Sequence, residues 1–225
     1  MIVDTETTGL DPSTGKLVEI GAVLFDVRRR AVLSQVSTLL PVDENPVERI
    51  NRIAADTAQA TPAEVIQQAR ELVRALSVHA DAFVAHNADF DSKWLPGLGD
   101  KPWICTMDDV RWPRVSRARQ SVVGLALDYE VPVWAAHRAL TDCTYLVQVM
   151  QREPELERLL AQALEPKQVY VAMVSYEDRE VARAAGFQWN QLVPKAWARR
   201  LTVAEAEALD FPVRAAVIQS NESGQ

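Results

Sequence analysis

The stretch IVDTETTGL, residues 2–10, constrains the fold most, because it places two acids on what reads as a buried strand. Ile2 and Val3 are strand-forming residues, and the Thr-Thr-Gly after Glu6 is typical of a strand that ends in a loop. Alternate residues of a strand point to the same side, so Asp4 and Glu6 should lie side by side. Two carboxylates this close raise each other's pKa unless a cation lies between them. The opening therefore raises the hypothesis of a metal site at the end of the first strand.

The following segments alternate between strand and helix patterns. LVEIGAVLFDV and AVLSQVSTLLPV predict a β-hairpin whose basic tip is RRR, residues 28–30. TPAEVIQQARELVRAL has helical spacing, with Thr61 as N-cap and Pro62 as the first helical residue. DAFVAHN and PWICTM are predicted strands, and GLALDY and LTDCTYLVQVMQ are predicted helices. Strands first, then helix and strand in alternation, predict an α/β fold with a mixed sheet flanked by helices.

The composition shifts near REPELERLLAQALEPKQ, which predicts a division into domains. We expect a first domain at residues 1–152, a helical connector at 153–166 and a small α+β module at 167–215. The module reads as a β-α-β-β unit followed by a helix with Thr202 as N-cap. The tail, residues 216–225, is expected to be disordered.

Charge and cysteine content limit the class of protein. The chain of 225 residues has a formal net charge of −7, which argues against non-specific nucleic-acid binding by a general positive field but allows local basic patches. Cys105 and Cys143 fit no metal-binding spacing and are expected to be free thiols. We expect no signal peptide, because acids begin at residue 4, and no membrane span, because VYVAMV is too short. A soluble cytoplasmic protein is therefore expected.

Two further acidic segments follow the first. In HNADFD, Asn87 can cap a short helix and Asp89 falls in its first turn, where the helix dipole favours a carboxylate. In HRALTD, Asp142 is expected in the first turn of another helix, five residues after His137. Five residues rotate a helix by about 140°, so His137 must come from the preceding loop if both serve one site. A mobile histidine beside a metal suits a proton acceptor. Taken singly, Asp89 is an ordinary first-turn acid and His137 a surface histidine.

Taken together, DTETTGL, HNADFD and HRALTD, in this order, resemble the DEDDh group of 3′-5′ exonucleases, the proofreading-exonuclease family with an RNase H-like fold. The resemblance covers roughly residues 2–152 and does not reach residues 165–225. It implies four metal-site carboxylates, which are Asp4, Glu6, Asp89 and Asp142. It also implies that His137 is the general base, and that two divalent ions, Mg²⁺ or Mn²⁺, are bound, a choice that hard oxygen ligands suit. The residues implied to contact or position the substrate strand are Thr5, Thr8, Gly9, Leu10, Asn87 and Phe90.

The resemblance implies a metal-dependent 3′-5′ exonuclease that releases nucleoside 5′-monophosphates from the 3′ end of single-stranded DNA. An RNA or oligoribonucleotide exonuclease is the alternative within the same class, since the motifs do not tell whether a 2′-hydroxyl is accepted. An inactive nucleic-acid-binding module is the alternative from another class.

Segments outside the acidic motifs leave the partners open. The loop VRWPRVSRAR could hold substrate phosphates or could be a solvated basic loop. The C-terminal module interleaves aromatic and basic residues, which suits single-stranded nucleic acid, docking of a DNA polymerase or another protein, or a purely structural role.

Overall fold

The computed structural model of the chain describes residues 1–115 and 117–216, which fall into two units. Within these ranges the first unit comprises residues 1–115 and 120–164, and the second comprises residues 117–119 and 165–216. The predicted tail at 216–225 lies, apart from Ala216, outside the described residues.

The first unit is built on a five-stranded mixed sheet of order β3-β2-β1-β4-β5. Its strands are β1 (Ile2–Thr7), β2 (Leu17–Asp26), β3 (Ala31–Leu39), β4 (Phe83–Ala85) and β5 (Trp103–Cys105). β1, β2 and β3 are antiparallel neighbours, whereas β4 pairs in parallel with β1 and with β5. The predicted hairpin and the mixed sheet are thus confirmed.

Helices cover both faces of this sheet. They are α1 (Glu48–Asn51), α2 (Ala55–Gln59), α3 (Ala63–His79), α4 (Ala88–Trp94), α5 (Val122–Asp128), α6 (Ala139–Arg152) and α7 (Leu156–Ala163). Ile2 packs in one cluster with buried residues of α5, α6 and α7, and its neighbour Val3 packs in another with residues of α3 and α4. Even-numbered positions of β1 therefore face α6, and odd-numbered positions face α4.

Residues 153–164 of the segment expected to be a connector belong to the first unit. α7 buries Leu156, Leu159, Leu160 and Ala163 in the same cluster as α6. The apolar positions of ELERLLAQALE recur at helical spacing, so this helix has a face that must be covered. The first unit consequently continues to residue 164, beyond the predicted boundary at 152.

The second unit contains a four-stranded antiparallel sheet of order β7-β8-β6-β9. Its elements are β6 (Gln168–Ala172), α8 (Arg179–Ala184), β7 (Gln188–Trp189), β8 (Trp197–Leu201), α9 (Val203–Glu207) and β9 (Val213–Ala215). The predicted β-α-β-β order is confirmed, and Thr202 caps α9 in a capping box with Glu205. β9 was not predicted from the sequence.

A short piece of the basic loop also clusters with the second unit. Residues 117–119 belong to it although the predicted first domain contains them. Gly186 has a φ of +82°, and a Cβ placed there would lie 3.3 Å from the Cβ of Ala118. The loop therefore packs against the turn between α8 and β7.

The cysteines and the lengths of the helices bear on two further expectations. Cys105 and Cys143 are buried free thiols, as predicted. Among the helices of the described ranges, none combines the length and the apolar character needed to cross a membrane.

Candidate active site

The two acids of β1 lie at the open end of the sheet. Asp4 pairs in register with Gly21, and Glu6 with Glu19, on the neighbouring strand β2. Both acids are half-buried and share the face of β1 that is covered by α6. Burial first, and then repulsion by nearby carboxylates, raises the pKa of Asp4 well above its usual value and that of Glu6 to about 8. The nearby guanidinium of Arg138 lowers the pKa of Glu6, but it offsets only part of the rise, so the charged forms of both carboxylates on this strand are unfavourable.

The third acid approaches from the other side of the sheet, and it is Asp91 rather than Asp89. α4 begins at Ala88, after Asn87 at a φ of +82°. Asp91 is 2% exposed and accepts a hydrogen bond of 2.7 Å from Oγ1 of Thr5. Burial raises the pKa of Asp91 to about 7, and the bond from Thr5 offsets part of that rise. Asp91 in turn raises the pKa of Asp4, so the two carboxylates are close enough to repel.

Asp89 has the opposite environment, which does not fit the metal-ligand role expected for it from the sequence. Its side chain is exposed, whereas Asp91 is buried and accepts the bond from Thr5; neither acid lines the cleft formed around the β1 acids. Two residues on a helix are rotated by about 200°, so Asp89 and Asp91 must face nearly opposite directions. The pattern HNADFD contains both acids, and only the position of Thr5 on β1 decides which of them faces the sheet.

The fourth acid and the histidine come from the start of α6. Asp142 is 7% exposed and lies in the first turn of α6, as predicted. His137 lies in the loop just before the helix, with an exposed side chain and a φ of +60°. Its backbone N–H donates to Oδ2 of Asp142 at 3.3 Å. Burial raises the pKa of Asp142 to about 6, and the His137 bond acts in the opposite direction.

The side chains of Glu6, His137 and Asp142 converge. One ligand atom from each lies within 4.8 Å of the others. Oδ1 of Asp142 is buried and has no hydrogen-bond partner in the part of the chain that the structure describes. A buried carboxylate oxygen without a donor is costly unless a cation binds it. The oxygen-rich set with one imidazole fits a hard divalent cation such as Mg²⁺ or Mn²⁺.

A cleft of about 380 Å³ opens at this cluster. Of the residues predicted to contact substrate, Thr5, Gly9, Leu10, Asn87 and Phe90 line it. Thr8 does not, because its hydroxyl accepts from the backbone N–H of Lys16 in the loop after β1. The lining residues that the sequence did not indicate are Thr7, Val47, Ile50, Asn51, His86, Met107, Ser121 and Val122.

Leu10 is the most exposed apolar side chain of this cleft, at 86% exposure. Exposing an apolar side chain beside a concave surface is typical of a residue that contacts a ligand. His86, in contrast, is fixed within the wall. Its Nδ1 lies 2.9 Å from Oγ1 of Thr106 and its Nε2 lies 2.9 Å from the carbonyl oxygen of Gln120. Both ring nitrogens of His86 therefore have partners, and one of these partners is a backbone carbonyl.

Two arginines of the basic loop contact residues that precede or follow the loop in the sequence. Nη1 of Arg111 donates to the carbonyl oxygen of Asp108 at 2.8 Å. The guanidinium of Arg114 lies over the ring of Tyr129, 5.2 Å from its centre. These contacts order part of the loop, and its predicted contact with substrate phosphates stays a prediction.

Comparisons with known proteins bear on both units. Residues 1–150 match a family model described as Exonuclease (RNase_T), and residues 168–216 match one described as Domain of unknown function (DUF8626). The chain is 32% identical over 154 residues to DNA polymerase III subunit epsilon of Treponema pallidum, covering 62% of the chain and 68% of that protein. It is also 32% identical over 149 residues to Exodeoxyribonuclease 10 of Escherichia coli, covering 63% of the chain and 62% of that protein.

Among solved structures, the chain resembles the nuclease domain of 3′hExo, a DEDDh family member bound to rAMP. The TM-score is 0.54 at 14% identity, covering 70% of the chain and 90% of that domain. A likeness at this identity supports the predicted RNase H-like fold. The match leaves the role of individual residues to the geometry described above.

Proposed function

The chain belongs to the exonuclease family, and from this premise we propose that it removes nucleoside 5′-monophosphates from the 3′ end of single-stranded DNA. The observation that carries the proposal is the meeting of Asp4, Glu6 and Asp142 at one cleft, where the buried Oδ1 of Asp142 has no donor from residues 1–115 or 117–216. A 3′-5′ exonuclease must accept a strand end with its negative phosphate. An acidic cleft can do so only when cations are bound in it.

The residues proposed to hold two divalent ions, Mg²⁺ or Mn²⁺, are Asp4, Glu6, Asp91 and Asp142. Such ions polarise the phosphoryl group and acidify an attacking water. Asp4 lies between the two layers, because it faces α6 and is also repelled by Asp91 on α4. It is therefore the acid best placed to serve both ions. In this proposal Asp91 has the role that the resemblance implied for Asp89.

His137 is proposed as the general base that takes a proton from the attacking water. Its ring is exposed at the cleft and has a nitrogen within 4.8 Å of the carboxylates of Glu6 and Asp142. A general base must reach the reacting water directly, and an exposed imidazole on a loop has that access. Asp142 orients the loop by accepting the backbone N–H of His137.

The terminal nucleotide is proposed to lie between Leu10 and Phe90, which line the same cleft. Leu10 is free to pack under a base because its side chain is exposed. Gly9, which has no side chain, allows the backbone after β1 to approach the sugar. Asn87 would position the substrate strand at the start of α4.

DNA is the proposed substrate, and RNA is the alternative. The named relatives are a DNA polymerase subunit and an exodeoxyribonuclease, which supports DNA. The structural neighbour 3′hExo was solved with rAMP, so this fold also accommodates a ribonucleotide in another protein.

A gel assay tests the proposal. The purified protein receives 5′-labelled single-stranded DNA or the matching RNA with Mn²⁺ or Mg²⁺, beside an Asp142→Ala control. A metal-dependent ladder that shortens from the 3′ end, absent in the control, is expected, and the faster substrate decides between DNA and RNA. No ladder while the oligonucleotides still bind would overturn the proposal in favour of a binding module.

For the C-terminal unit we propose a docking role toward a protein such as a DNA polymerase. The support is that the Treponema pallidum relative is a polymerase subunit. The competing role, contact with single-stranded nucleic acid, would use exposed aromatics such as Trp189. Trp189→Ala in the Asp142→Ala background distinguishes the two by fluorescence anisotropy of a labelled oligonucleotide. Weakened affinity favours the nucleic-acid role, and unchanged affinity rules out that role for Trp189 and leaves protein docking or a purely structural role.

A further inference from the structure

A fifth acid lies beside the cluster but has a full set of partners. Glu19 on β2 is 3% exposed and pairs in register with Glu6. Its Oε2 accepts from Nε of Arg138 at 3.0 Å and from the backbone N–H of Ala139 at 3.0 Å. Its Oε1 accepts from Nη2 of Arg138 at 3.0 Å and from the hydroxyl of Ser37 at 3.2 Å. A carboxylate with four donors has little capacity left for a metal ion.

These bonds act on the start of α6. Arg138 is the N-cap residue of α6, and its own side chain caps no backbone N–H of the helix. Glu19, which lies on β2 and 120 residues earlier in the chain, accepts the backbone N–H of Ala139 in place of an N-cap side chain. The bidentate pair with Arg138 is the strongest geometry for an arginine and a carboxylate. The first turn of α6 is thereby tied to β2.

The backbone of this turn also lies directly on β2. A Cβ placed on Gly21 would lie 2.5 Å from the carbonyl carbon of Ala139 and 2.5 Å from the nitrogen of Leu140. Only glycine leaves room for such an approach. Glu19 and Gly21 therefore hold the helix start from one strand, by hydrogen bonds and by direct packing respectively.

His137 depends on this attachment more than Asp142 does. Asp142 lies on a helix whose buried residues, among them Tyr145 and Leu146, fix it in the core. His137 lies in the loop and its side chain is exposed. Its backbone φ is +60°, a value that residues other than glycine adopt rarely. The residue that follows it, Arg138, forms the ion pair with Glu19.

We propose that Glu19 is a positioning residue that fixes His137 at the cleft through its grip on Arg138 and Ala139. The inference rests on the proposed function, in which His137 is the general base. It assigns Glu19 no contact with substrate or metal. Its effect should therefore pass through His137.

Kinetics of Glu19→Gln measure this dependence. The amide keeps the shape but loses the charge and places N–H groups against the donors of Arg138. We expect kcat to fall roughly 10–100-fold, the scale for losing a partner that orients an active-site group. The KM for the oligonucleotide should change by less than about threefold, because the residues that line the cleft on β1 and α4 are untouched. Ser37→Ala, which removes one bond to Glu19 and keeps the Arg138 pair, should stay within about twofold.

A double-mutant cycle separates positioning from a structural role. Glu19→Gln should lower kcat by less than about threefold in a His137→Ala background, since its target is gone. A full 10–100-fold loss in that background would overturn the inference. Arg138→Lys, which keeps the charge but loses the planar fork, is the second probe should Glu19→Gln fail to fold. Arg138→Lys should lower kcat when His137 is present and should leave kcat nearly unchanged in the His137→Ala background.

Nuclear magnetic resonance gives a readout that does not need activity. The chain has three histidines, so the ring signals of His137 can be assigned with His137→Ala. We expect Glu19→Gln to increase the ring mobility of His137 and Ser37→Ala to leave it unchanged. Unchanged mobility in Glu19→Gln would sink the inference even where the wild type degrades DNA. If the wild type does not degrade DNA but Glu19→Gln still increases the ring mobility of His137, the proposed exonuclease activity is contradicted. The positioning role of Glu19 then stands.

Discussion

Two regions of the first unit bury carboxylates in different ways. At the far end of α6, Glu153 is 2% exposed, and its oxygens accept from the hydroxyl of Tyr129 at 2.5 Å and from the N–H of Glu155 at 2.9 Å. At the near end, Asp142 is almost as buried, but its Oδ1 has no donor among the described residues. Burial alone therefore does not mark a metal ligand. What distinguishes the two regions is how many of the acid's oxygens already have a donor.

The largest effect is expected from Asp91→Asn. Asp91, the third of the four proposed acidic ligands, would lose its charge while its shape and the bond from Thr5 remain. We expect kcat to fall roughly 10²–10³-fold, the scale for removing one group that stabilises charge at a reacting centre. Initial rates on 5′-labelled DNA with Mn²⁺ measure it. A rate within a few fold of wild type would mean that Asp91 is not a metal ligand and is a buried acid held by its hydrogen bond, like Glu153.

The next effect concerns pH and metal removal. Burial first, and then repulsion by nearby carboxylates, raises the pKa of Glu6 to about 8 and that of Asp142 to about 6. The folded metal-free chain therefore binds more protons than the unfolded chain, and its stability falls as pH rises from about 4.5 to about 8. Melting curves in EDTA should show Tm falling by roughly 2–4 °C for each kcal/mol lost.

Adding Mn²⁺ at pH 8 should reverse that fall, because the ion replaces the missing protons. Asp142→Ala provides the control and should respond less to both pH and Mn²⁺. If the Tm of the wild type does not depend on pH or on Mn²⁺, the acids at the start of α6 do not bind metal. They would then not differ from Glu153 at its other end.

A smaller effect is expected from Tyr129→Phe at the other region. It leaves Oε2 of Glu153 without its donor, and a buried acceptor that loses its partner costs about 1–3 kcal/mol. Urea denaturation should show this loss at pH 7, and Mn²⁺ should not restore it. The specific activity of the folded variant should match that of wild type. Rescue by Mn²⁺ would mean that buried acids at both ends of α6 take metal.

The smallest effect is expected from Asp89→Asn. The side chain is exposed and does not line the cleft, so activity should stay within about twofold of wild type. The same initial-rate assay measures it beside Asp91→Asn. A loss as large as that of Asp91→Asn would restore Asp89 to the set of ligands that the sequence predicted.

These cases show what local sequence rules can predict. The alternation of strand residues correctly put Asp4 and Glu6 on one face, and the spacing of HRALTD correctly put His137 before the helix and Asp142 in its first turn. Both rules act over a few residues. They need no knowledge of what packs against the segment.

The features that were missed depend on distant parts of the chain. Asp91 is distinguished from Asp89 by Thr5, which lies 86 residues away, and the partners of Glu19 at the start of α6 lie 119 and 120 residues away. The inclusion of residues 117–119 in the second unit has the same character. No periodicity within a segment reports such a partner, so these positions had to come from the three-dimensional arrangement.

The loop at residues 117–119 has a consequence for how the chain is made. Its packing partner near Gly186 leaves the ribosome about 70 residues later, which takes several seconds at roughly 5–20 residues per second. During that time the first unit can close its sheet while this loop is still unattached. Gln120, whose carbonyl lies against His86 in the cleft wall, directly follows it. This loop therefore gains its packing partner later in synthesis than the sheet, whose strands all lie before residue 106.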